Sequence, residues 1–484
     1  MQEISKIEFS LMSMMDDFGR VFFADGKVYR AIQENKKEYC LSLLHSELFK
    51  ELENKKLIPE TTIADFHLNG HSLVLEHEKI LHTLQHEWTF SMIRNAALTI
   101  LEVNEICNKY DYQLKDAHLF NVLFRGTQLV WVDIGSITPK IEKDQCWGAY
   151  EEFLNAVVMP LLFWSDNKHF IAHKLLESVI SGMATIPSQT LMESGLMELL
   201  HLHRGPYYFK LRSKTLFSTK KKVNFLNAIT QKSKSTVKKH LKRNTQIFSY
   251  NSNSEKAKKI SELIPFESVK NLLENLPIPN RESVWQQYHQ EFYRSDGKIN
   301  YSKRFLRIKQ IIKEEGNITS IIDLAGNEGY FSQLITESLN IERIILGDYD
   351  ENAIDKAYNR FLERKEAKVH TVLLNFMFAP DLVGTTKRLR SDLAVALAVT
   401  HHLILTGSYT LPAIFERLQL YSNKYVMIEF MPLGLWSGEK EVTKVPEWYN
   451  VEWFRNTFEN YFDIISEESL EINRILFFGK IRRQ

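Results

Sequence analysis

The alternation of strand-like and helix-like segments after Ser302 is the feature that most constrains the fold of this chain. Apolar runs of strand length occur seven times, as SIIDLAG, RIILGDYD, VHTVLLNF, DLAVALAV, YVMIEFMP, FDIISEESL and RILFFGKI. Helical segments such as GYFSQLITESL and ENAIDKAYNRFLER lie between them, except between the last two. The alternation predicts an α/β domain with a parallel sheet and helices on both faces. The last two strands are predicted to form an antiparallel hairpin at one edge.

The segment IIDLAGNEGYFSQLI, from Ile321 to Ile335, combines an apolar strand, a turn of small residues and a helix. Small residues let the backbone approach a ligand, and the N-terminus of the following helix lies beside that ligand. The turn does not have the G-x-G-x-x-G spacing, so it matches a dinucleotide-binding fingerprint poorly. Asp348 ends the next strand, about twenty residues beyond the turn, where an acidic side chain can accept hydrogen bonds from ribose hydroxyls.

This pattern resembles the class I S-adenosylmethionine-dependent methyltransferases, which have a Rossmann-like sheet that ends in a hairpin. The resemblance covers roughly residues 318–480 and implies a seven-stranded sheet with S-adenosyl-L-methionine as the cofactor. It implies that Asp323, Gly326 and Gly329 lie at the methionine moiety and Asp348 at the ribose. Asn375 stands where an acid often contacts the adenine amine, and an asparagine oxygen can still accept there. The residues expected at the cofactor are Asp323, Ala325, Gly326, Asn327, Gly329, Asp348 and Asn375.

Two histidines and a glutamate follow later strands of the predicted sheet. His401 and His402 come just beyond the fourth strand, and Glu429 lies at the end of the fifth. The carboxyl ends of parallel strands are where an open sheet binds ligands. A histidine there can take the proton from a substrate hydroxyl during methyl transfer, and Glu429 can orient that histidine or bind substrate. The alternative for the histidine pair is packing beneath a substrate loop.

The N-terminal part is predicted to form a strand-rich lobe followed by a helix-rich lobe. Asp25-Gly26 lies between two alternating runs, GRVFFA and KVYRAI, and predicts a β-hairpin. Helices are predicted over residues 39–55, 87–109 and 146–183, with two further strands within residues 57–80.

Two short spacings in the N-terminal part resemble a kinase active site. In LKDAHLFNVLF, Asp116 and Asn121 have the D-x-x-x-x-N spacing of a kinase catalytic loop, and Asp133 begins a D-x-G in WVDIG. In that chemistry the first aspartate accepts the hydroxyl proton, while the asparagine and the second aspartate hold Mg²⁺ against the phosphates of ATP. The D-x-H-x-x-N wording is similar to small-molecule kinases of the aminoglycoside and choline type. It implies an α+β, two-lobed, protein-kinase-like fold with Asp116 as a catalytic residue and Asn121 and Asp133 as metal ligands.

The segment expected to bind ATP departs from that pattern. Arg30 stands where a phosphate-anchoring lysine is expected, no glycine-rich loop precedes it, and Glu47 is its candidate partner on the following helix. The hinge between the lobes is expected at VLEHE, so Arg30 and Glu76 are the candidate ATP-binding residues. Two interpretations stay open: an active small-molecule kinase, or a pseudokinase that binds nucleotide or substrate or docks a glycan or a partner protein.

A long basic segment separates the two halves of the chain. No acidic residue occurs between Glu198 and Glu255, while lysine and arginine are frequent there. We predict a kinase-like domain over residues 1–210, a basic connector over 211–280 and a methyltransferase domain over 281–484. Such a charge block is usually solvated, although it also suits anionic lipid, a polyanionic glycan or nucleic acid. Nucleic acid is disfavoured because few aromatic residues are interleaved with the charges.

The remaining composition is that of a protein from a reducing compartment. Cys40, Cys107 and Cys146 are widely spaced and form no C-x-x-C pair, which argues against a disulfide framework and against a zinc site. No apolar run approaches the ~18 residues of a membrane span, and the start of the sequence does not resemble a signal peptide. We therefore expect a cytoplasmic protein whose contact with the inner face of a membrane, where it occurs, is peripheral and runs through the basic connector.

A whole-chain resemblance extends these predictions. A two-part family of methyltransferases, some tied to nodulation signals or surface-polysaccharide loci, is similar in six segments that occur here in the same order: EWTFSMIRNAAL, LKDAHLFNVLFRG, VDIGS, DLAGNEGYFS, VTHHL and MIEFMP. It implies an O-methyltransferase that acts on a saccharide or another polyhydroxyl compound. The alternatives are a bifunctional enzyme that phosphorylates and methylates a glycan end, and a methyltransferase with a pseudokinase docking module.

Overall fold

A computed structural model describes most of the two predicted domains but little of the basic segment between them. The described residues are 7–10, 13–14, 16–66, 68–142, 146–180, 265–279, 299–378, 384–436, 438 and 444–482. Most of the predicted connector and the boundary predicted at residue 210 lie outside these ranges. The connector and its contact with membrane or polyanion therefore stay predictions.

The strands and helices follow one another along the chain as follows. The strands are β1 (Glu8–Phe9), β2 (Gly19–Ala24), β3 (Lys27–Ile32), β4 (Thr61–Ile63), β5 (Val74–His77), β6 (Tyr112–Leu114), β7 (Val122–Arg125), β8 (Gln128–Trp131), β9 (Ile137–Pro139), β10 (Ser320–Leu324), β11 (Arg343–Asp348), β12 (Val369–Leu373), β13 (Ser391–Ala396), β14 (Ser422–Phe430), β15 (Phe462–Glu471) and β16 (Arg474–Ile481). The α-helices are α1 (Lys37–Leu44), α2 (Glu47–Asn54), α3 (Phe90–Lys109), α4 (Tyr150–Phe153), α5 (Met159–Ser165), α6 (His169–Ile180), α7 (Phe266–Glu274), α8 (Lys303–Glu315), α9 (Tyr330–Ser338), α10 (Glu351–Glu363), α11 (Thr385–Leu389), α12 (Leu411–Tyr421) and α13 (Val451–Glu459). Leu154–Val158 and His402–Thr406 are π-helical.

The chain forms two compact units that do not follow the order of the sequence. The first unit contains Met1–Tyr110, Leu119–Ile137 and Ile278–Gln484, and the second contains Asp111–His118 and Thr138–Pro277. Both N-terminal and C-terminal segments therefore contribute to the first unit.

A seven-stranded sheet in the first unit has the order β12-β11-β10-β13-β14-β16-β15. The strands from β12 to β14 are parallel, whereas β16 is antiparallel to both β14 and β15. The predicted parallel sheet with an antiparallel hairpin at one edge is thus confirmed. The strand order reverses between β10 and β13, and ligands bind beside the carboxyl ends of strands at such a switch point.

Helices cover both faces of this sheet, which explains why its central strands read as continuous apolar runs. One face packs a cluster of aromatic side chains that includes Phe415, Phe454 and Phe477. The other face packs Phe331 and Phe361 with several isoleucines. The central strands are buried on both faces, so their positions are fixed. The polar residues that follow their carboxyl ends are therefore held in place as well.

The N-terminal part of the first unit contains a five-stranded antiparallel sheet of order β1-β2-β3-β5-β4. The predicted hairpin joins β2 to β3, and its turn residues Asp25 and Gly26 have φ of 49° and 78°. Positive φ at both turn positions matches the right-handed twist of the strands, which is why Asp-Gly predicts this turn. A second hairpin, formed by β7 and β8, connects Asn121 to Asp133.

The prediction of one helix over residues 39–55 is wrong, because two helices occur there. Helix α1 ends at Leu44 and α2 begins at Glu47. The Ser46 hydroxyl accepts a hydrogen bond from the backbone N–H of Phe49 at 3.1 Å. A serine that caps a helix N-terminus in this way favours a new start over continuation of the previous helix.

Helix α3 packs against α10 within the first unit. The Asp355 carboxylate of α10 is buried and accepts hydrogen bonds from the backbone N–H and the hydroxyl of Ser91, at 2.8 and 2.7 Å. Asn95 Nδ2 donates to the Tyr358 hydroxyl at 3.1 Å. These bonds satisfy polar groups of both helices that are removed from water.

The second unit contains most of the helical region that was predicted over residues 146–183. The first helix of this region begins later than predicted, at Tyr150, and the structure describes the region as far as Ile180. Trp147 Nε1 donates to the carbonyl of Leu114 at 2.7 Å, and Glu152 accepts from the backbone N–H of Ala117 at 2.7 Å. These two bonds hold the segment around Asp116 within this unit. In the described ranges, no helix combines the length and the hydropathy that crossing a membrane requires.

Candidate functional site

A cavity of about 300 Å³ lies at the carboxyl edge of the seven-stranded sheet. The ends of β10 and β11 and the loop after β13 contribute to its wall, because the carboxyl ends of parallel strands meet at one edge. The lining residues are Arg304, Phe305, Asp323, Ala325, Gly326, Asn327, Phe331, Asp348, Tyr349, Leu397, Ala398, Val399, His402, Leu403, Thr406 and Gly407. Of the predicted cofactor residues, five are in this set.

The glycine turn after β10 forms one side of the cavity. Ala325 and Asn327 have positive φ of 57° and 49°, a conformation that non-glycine residues adopt rarely. At Gly326, a Cβ atom would lie 2.4 Å from the Leu346 side chain and 2.7 Å from the Asp323 carboxylate. Only glycine fits there, so the backbone of the turn stays exposed to the cavity.

Gly329 does not line the cavity, and its predicted place at the methionine moiety stays a prediction. It precedes α9 with a φ of 73°, and a Cβ atom there would lie 2.4 Å from Leu346. Its part in the site is therefore to let α9 start close to β11.

Asp323 is buried at the end of β10 and accepts a hydrogen bond from the Ser332 hydroxyl at 2.8 Å. Burial raises the pKa of Asp323 to about 7, and the hydrogen bond from Ser332 opposes that rise. The carboxyl group lacks a cationic partner among the described residues, so a cation that entered the cavity would restore its ionised form.

Asp348 lies on the same wall at the end of β11. Its carboxylate accepts the backbone N–H of Asn327 and that of Asp350, both at 2.8 Å. Burial raises the pKa of Asp348 to about 6, and these backbone hydrogen bonds limit the rise. The carboxylate thus has a fixed position and can still accept further hydrogen bonds, as a ribose site requires.

Asn375 is a second predicted cofactor residue that does not line the cavity. Its Oδ1 accepts the backbone N–H of Met377 at 3.2 Å, in a turn that follows β12. The side chain therefore serves the local turn, and the predicted adenine contact stays a prediction. Residues 379–383, which come next, lie outside the described ranges.

The two adjacent histidines differ in their position. His402 lines the cavity at the start of the π-helical stretch, whereas His401 is buried behind it with the ring centroids 4.0 Å apart. Burial, together with the neighbouring His402, lowers the pKa of His401 to about 3. Nδ1 of His401 has no hydrogen-bond partner within the described part of the chain. Only His402 is therefore placed to meet a ligand.

Glu429 is fully buried and does not line the cavity. Its Oε2 accepts hydrogen bonds from Arg304 Nη1 at 2.7 Å, Arg474 Nη1 at 3.2 Å and the backbone N–H of Ala398 at 2.8 Å. The expectation that Glu429 orients a histidine is wrong, because its partners are two arginines and a backbone amide. Arg304, on the cavity wall, was missed, since no local motif links it to Glu429, 125 positions away.

The N-terminal candidate residues are only partly brought together. Arg30 is buried and pairs with Asp133 at 2.9 Å and Asp16 at 3.3 Å. The prediction that Glu47 pairs with Arg30 is wrong, because Glu47 is exposed and pairs with Lys50. The sequence offered no reason to choose Asp16, because the contact depends on how β3 meets the chain before β2.

The remaining predicted kinase residues have separate surroundings. Glu76 pairs with Lys27 across the sheet at 2.7 Å. Asn121 is buried, and its Nδ2 has no hydrogen-bond partner in the described ranges. Asp116 belongs to the second unit, whereas Asn121 and Asp133 belong to the first, so the three-residue site stays a prediction. Among the described residues, no group of three or more His, Cys, Asp or Glu side chains could hold a metal ion.

Comparisons with known proteins give one related sequence and many similar folds. No family model matches the chain. Nodulation protein NoeA of Rhizobium meliloti (strain 1021) is 24% identical over 406 residues, which are 78% of this chain and 77% of that protein. The magnesium protoporphyrin IX methyltransferase of Synechocystis PCC 6803, solved with bound S-adenosylmethionine, is 13% identical over 42% of this chain and 92% of its own, with a TM-score of 0.29. The N-methyltransferase NodS of Bradyrhizobium japonicum WM9 is 11% identical over 38% of this chain and 99% of its own, with a TM-score of 0.28.

The sheet and the cavity at its carboxyl edge identify the fold of the C-terminal segment. Five parallel strands and a closing antiparallel hairpin form the arrangement that the methyltransferase resemblance implied. The glycine turn and the carboxylates of Asp323 and Asp348 line one cavity at that edge. The segment from Lys303 to Ile481 accordingly has the Rossmann-like fold that the methyltransferase resemblance implied.

Proposed function

We propose that this protein is an O-methyltransferase whose acceptor is a hydroxyl group of a saccharide or another polyhydroxyl compound, with S-adenosylmethionine as the methyl donor. The observation that carries the proposal is the location of His402 on the same cavity wall as Asp323 and Asp348. The similarity to the nodulation protein NoeA supports an acceptor that belongs to nodulation.

The side chains around the cavity fit this cofactor in charge and shape. Asp323 suits the ammonium group of the amino-acid end, and Asp348 suits the ribose hydroxyls. Gly326 lets the turn lie against Leu346 and the Asp323 carboxylate, where a Cβ atom would not fit. Bound S-adenosylmethionine would supply a methyl group on a sulfonium, which is a good leaving group, so the protein has mainly to align donor and acceptor.

His402 is suited to receive the proton of the acceptor hydroxyl. Burial lowers the pKa of His402, so its imidazole is neutral at pH 7 and can act as a base. Val399 and Leu403 give the same wall an apolar surface beside His402. An oxygen acceptor needs such a base, because an alcohol is a weak nucleophile while it keeps its proton.

His402→Asn is expected to lower kcat about 100- to 10,000-fold while the affinity for S-adenosylhomocysteine changes little, because the variant removes only the base. We would measure transfer of tritium from methyl-labelled S-adenosylmethionine into a panel of nucleotide sugars and oligosaccharides, and binding by calorimetry. His401→Phe, which keeps a ring behind His402, is the control and should affect transfer far less. Wild-type rates in His402→Asn would contradict the proposed role of this histidine.

We further propose that the N-terminal part has a kinase-like fold that binds ATP with Mg²⁺ and phosphorylates the same class of acceptor. The ion pair between Arg30 and Asp133, 103 positions apart, supports it, because a phosphate-anchoring cation and a D-x-G aspartate meet in kinase sites. The buried amide of Asn121 adds a polar group on the segment expected to hold metal. The alternative is a pseudokinase module that docks a glycan or a partner without phosphoryl transfer.

Magnesium-dependent binding of ATP to the full chain tests the kinase-like proposal. We expect calorimetry to detect binding that requires Mg²⁺ and that Asp133→Asn weakens. Turnover that also depends on Asp116 would support the bifunctional enzyme, and binding without turnover would support the pseudokinase. Absence of ATP binding in the wild type would end the nucleotide role while leaving the methyltransferase assignment intact.

A further inference from the structure

The cavity at the carboxyl edge contains an unbalanced set of ionisable groups. Its wall carries two carboxyl groups, Asp323 and Asp348, and one arginine, Arg304. His402 adds no charge at neutral pH, because burial lowers its pKa. Arg304 is therefore the cation of the wall among the described residues. A ligand that matched this wall would present cationic or hydroxyl groups to the carboxylates and an anionic group to the guanidinium.

Arg304 is held by contacts that restrict its side chain. It lies in the first turn of α8 and is buried, with its guanidinium 4.7 Å from the centre of the Phe305 ring. Its Nη1 donates to Glu429 at 2.7 Å. Nη2 makes no hydrogen bond to any described residue, so this part of the planar fork can donate to a ligand in the cavity.

The buried charges around Glu429 do not cancel. Glu429 carries one negative charge, whereas Arg304 and Arg474 both donate to its Oε2 and are 7% and 16% exposed. Glu471 pairs with Arg474 at 3.0 Å and with Arg304 Nε at 3.9 Å, but it is 46% exposed, so water screens most of its charge. The group therefore has a net positive charge at the cavity, and an anion placed there would relieve it.

Arg474 argues against a purely structural role for Arg304. It already supplies Glu429 with a cationic partner, so Arg304 is not needed to neutralise that carboxylate. Glu429 also binds the backbone N–H of Ala398, whose φ is 53°, at the cavity wall. One buried carboxylate thus holds both Arg304 and the loop after β13 in place. Both are parts of the cavity wall, so a ligand in the cavity would contact them together.

We infer that Arg304 binds the carboxylate of the amino-acid end of S-adenosylmethionine, and that Glu429 positions it to do so. The inference rests on the proposed cofactor. The zwitterionic end of that molecule then finds both partners on one wall: Asp323 takes the ammonium group and Arg304 takes the carboxylate. A guanidinium held in a fixed plane is well suited to a carboxylate, because it can donate through more than one N–H group.

Calorimetry with two ligands that differ only at the amino-acid end tests the inference. S-adenosylhomocysteine has the zwitterionic end, whereas 5′-methylthioadenosine lacks it. For the full chain, Arg304→Met is expected to weaken S-adenosylhomocysteine about 10- to 100-fold, which is the range for a charge-assisted hydrogen bond in a protected site. The affinity for 5′-methylthioadenosine should stay at the wild-type value.

The matched control is Arg307→Met, which removes an arginine from the exposed side of the same helix, where it pairs with Glu468. It should change neither affinity. Arg304→Lys keeps the charge without the planar fork and should recover part of the lost affinity. If Arg304→Met does not fold, Arg304→Gln, which removes the charge but keeps a polar side chain and leaves Glu429 paired with Arg474, is measured instead.

The outcomes separate this inference from the proposed function. An equal loss for both ligands in Arg304→Met would show a general effect on the cavity and overturn the inference. Unchanged binding of S-adenosylhomocysteine would overturn it as well. A wild-type protein that binds neither ligand would instead refute the proposed cofactor itself.

Discussion

Asp323→Asn is expected to make the protein more stable while it abolishes binding of S-adenosylmethionine. Burial raises the pKa of Asp323 to about 7 from its ordinary value of 3.8, so ionising this carboxyl is harder in the folded protein than in the unfolded chain. Between these two values the folded state binds more protons than the unfolded state, and the free energy of unfolding falls as pH rises. At pH 8 the ionised carboxyl therefore destabilises the empty protein.

Asparagine removes that penalty, because it remains neutral at every pH and can still accept the hydrogen bond from Ser332. We expect the free energy of unfolding at pH 8 to rise by on the order of 2–4 kcal/mol, with the difference shrinking towards zero as pH falls to 4. Urea unfolding at several pH values measures this change. Calorimetry should detect no binding of S-adenosylmethionine, since the ammonium group loses its counter-charge.

Asp392→Asn is the matched control, because it should have the opposite sign. Burial would raise the pKa of Asp392, but hydrogen bonds from the backbone and hydroxyl of Thr319 and the ion pair with Lys424 lower it overall. Its ionised form therefore stabilises the protein at neutral pH, and that contribution is lost as pH falls through its lowered pKa. A loss of stability in Asp323→Asn at pH 8, or cofactor binding at wild-type strength, would contradict the prediction.

The parts of the site that the sequence predicted are those whose positions depend on residues close together along the chain. The strand, the turn around Gly326 and the acid at Asp348 lie within one stretch of chain, and their order along a parallel sheet fixes their meeting point. Apolar runs buried on both faces mark such strands clearly. The same reasoning located the hairpin at Asp25-Gly26, where the turn requires positive φ.

The parts that it did not predict depend on pairing over long distances. Arg304 and Glu429 are 125 positions apart, and nothing in the residues around either one indicates the other. The sequence could not separate His401 from His402, because the π-helical start decides which ring faces the cavity. Asn375 follows a strand as expected, but its amide oxygen accepts a hydrogen bond from the backbone N–H of Met377 in the turn after that strand.

Helix α10 links the cofactor edge to the N-terminal part of the first unit. It begins after Asp348, with the Asp350 side chain capping its first turn. One turn later, the buried carboxylate of Asp355 receives both of its short hydrogen bonds from Ser91 in α3. A chain that lacked α3 would lose both of these donors, and only Asn359 Nδ2, at 3.1 Å, would still donate to that carboxylate. The cofactor site is therefore best studied in the full chain.

Glu429→Ala is expected to destabilise the protein by about 3–5 kcal/mol, the range for breaking a buried ion pair by removal of one partner. The substitution leaves the guanidinium groups of Arg304 and Arg474, 7% and 16% exposed, without the carboxylate that both contact. It also removes the acceptor of the Ala398 N–H, which holds a backbone with a φ of 53°. Urea unfolding of wild type and variant measures the loss.

The triple variant Arg304→Met/Glu429→Leu/Arg474→Met separates the charge effect from the loss of side-chain volume. It removes all three charges together and fills the site with apolar groups, so most of the stability lost in Glu429→Ala should return. Binding of S-adenosylhomocysteine should not return, because Arg304 is absent. Glu468→Ala, which breaks an exposed pair with Arg307, should have little effect on unfolding. If Glu429→Ala were as harmless as Glu468→Ala, the buried carboxylate would not be what holds Arg304 and the loop after β13 in place.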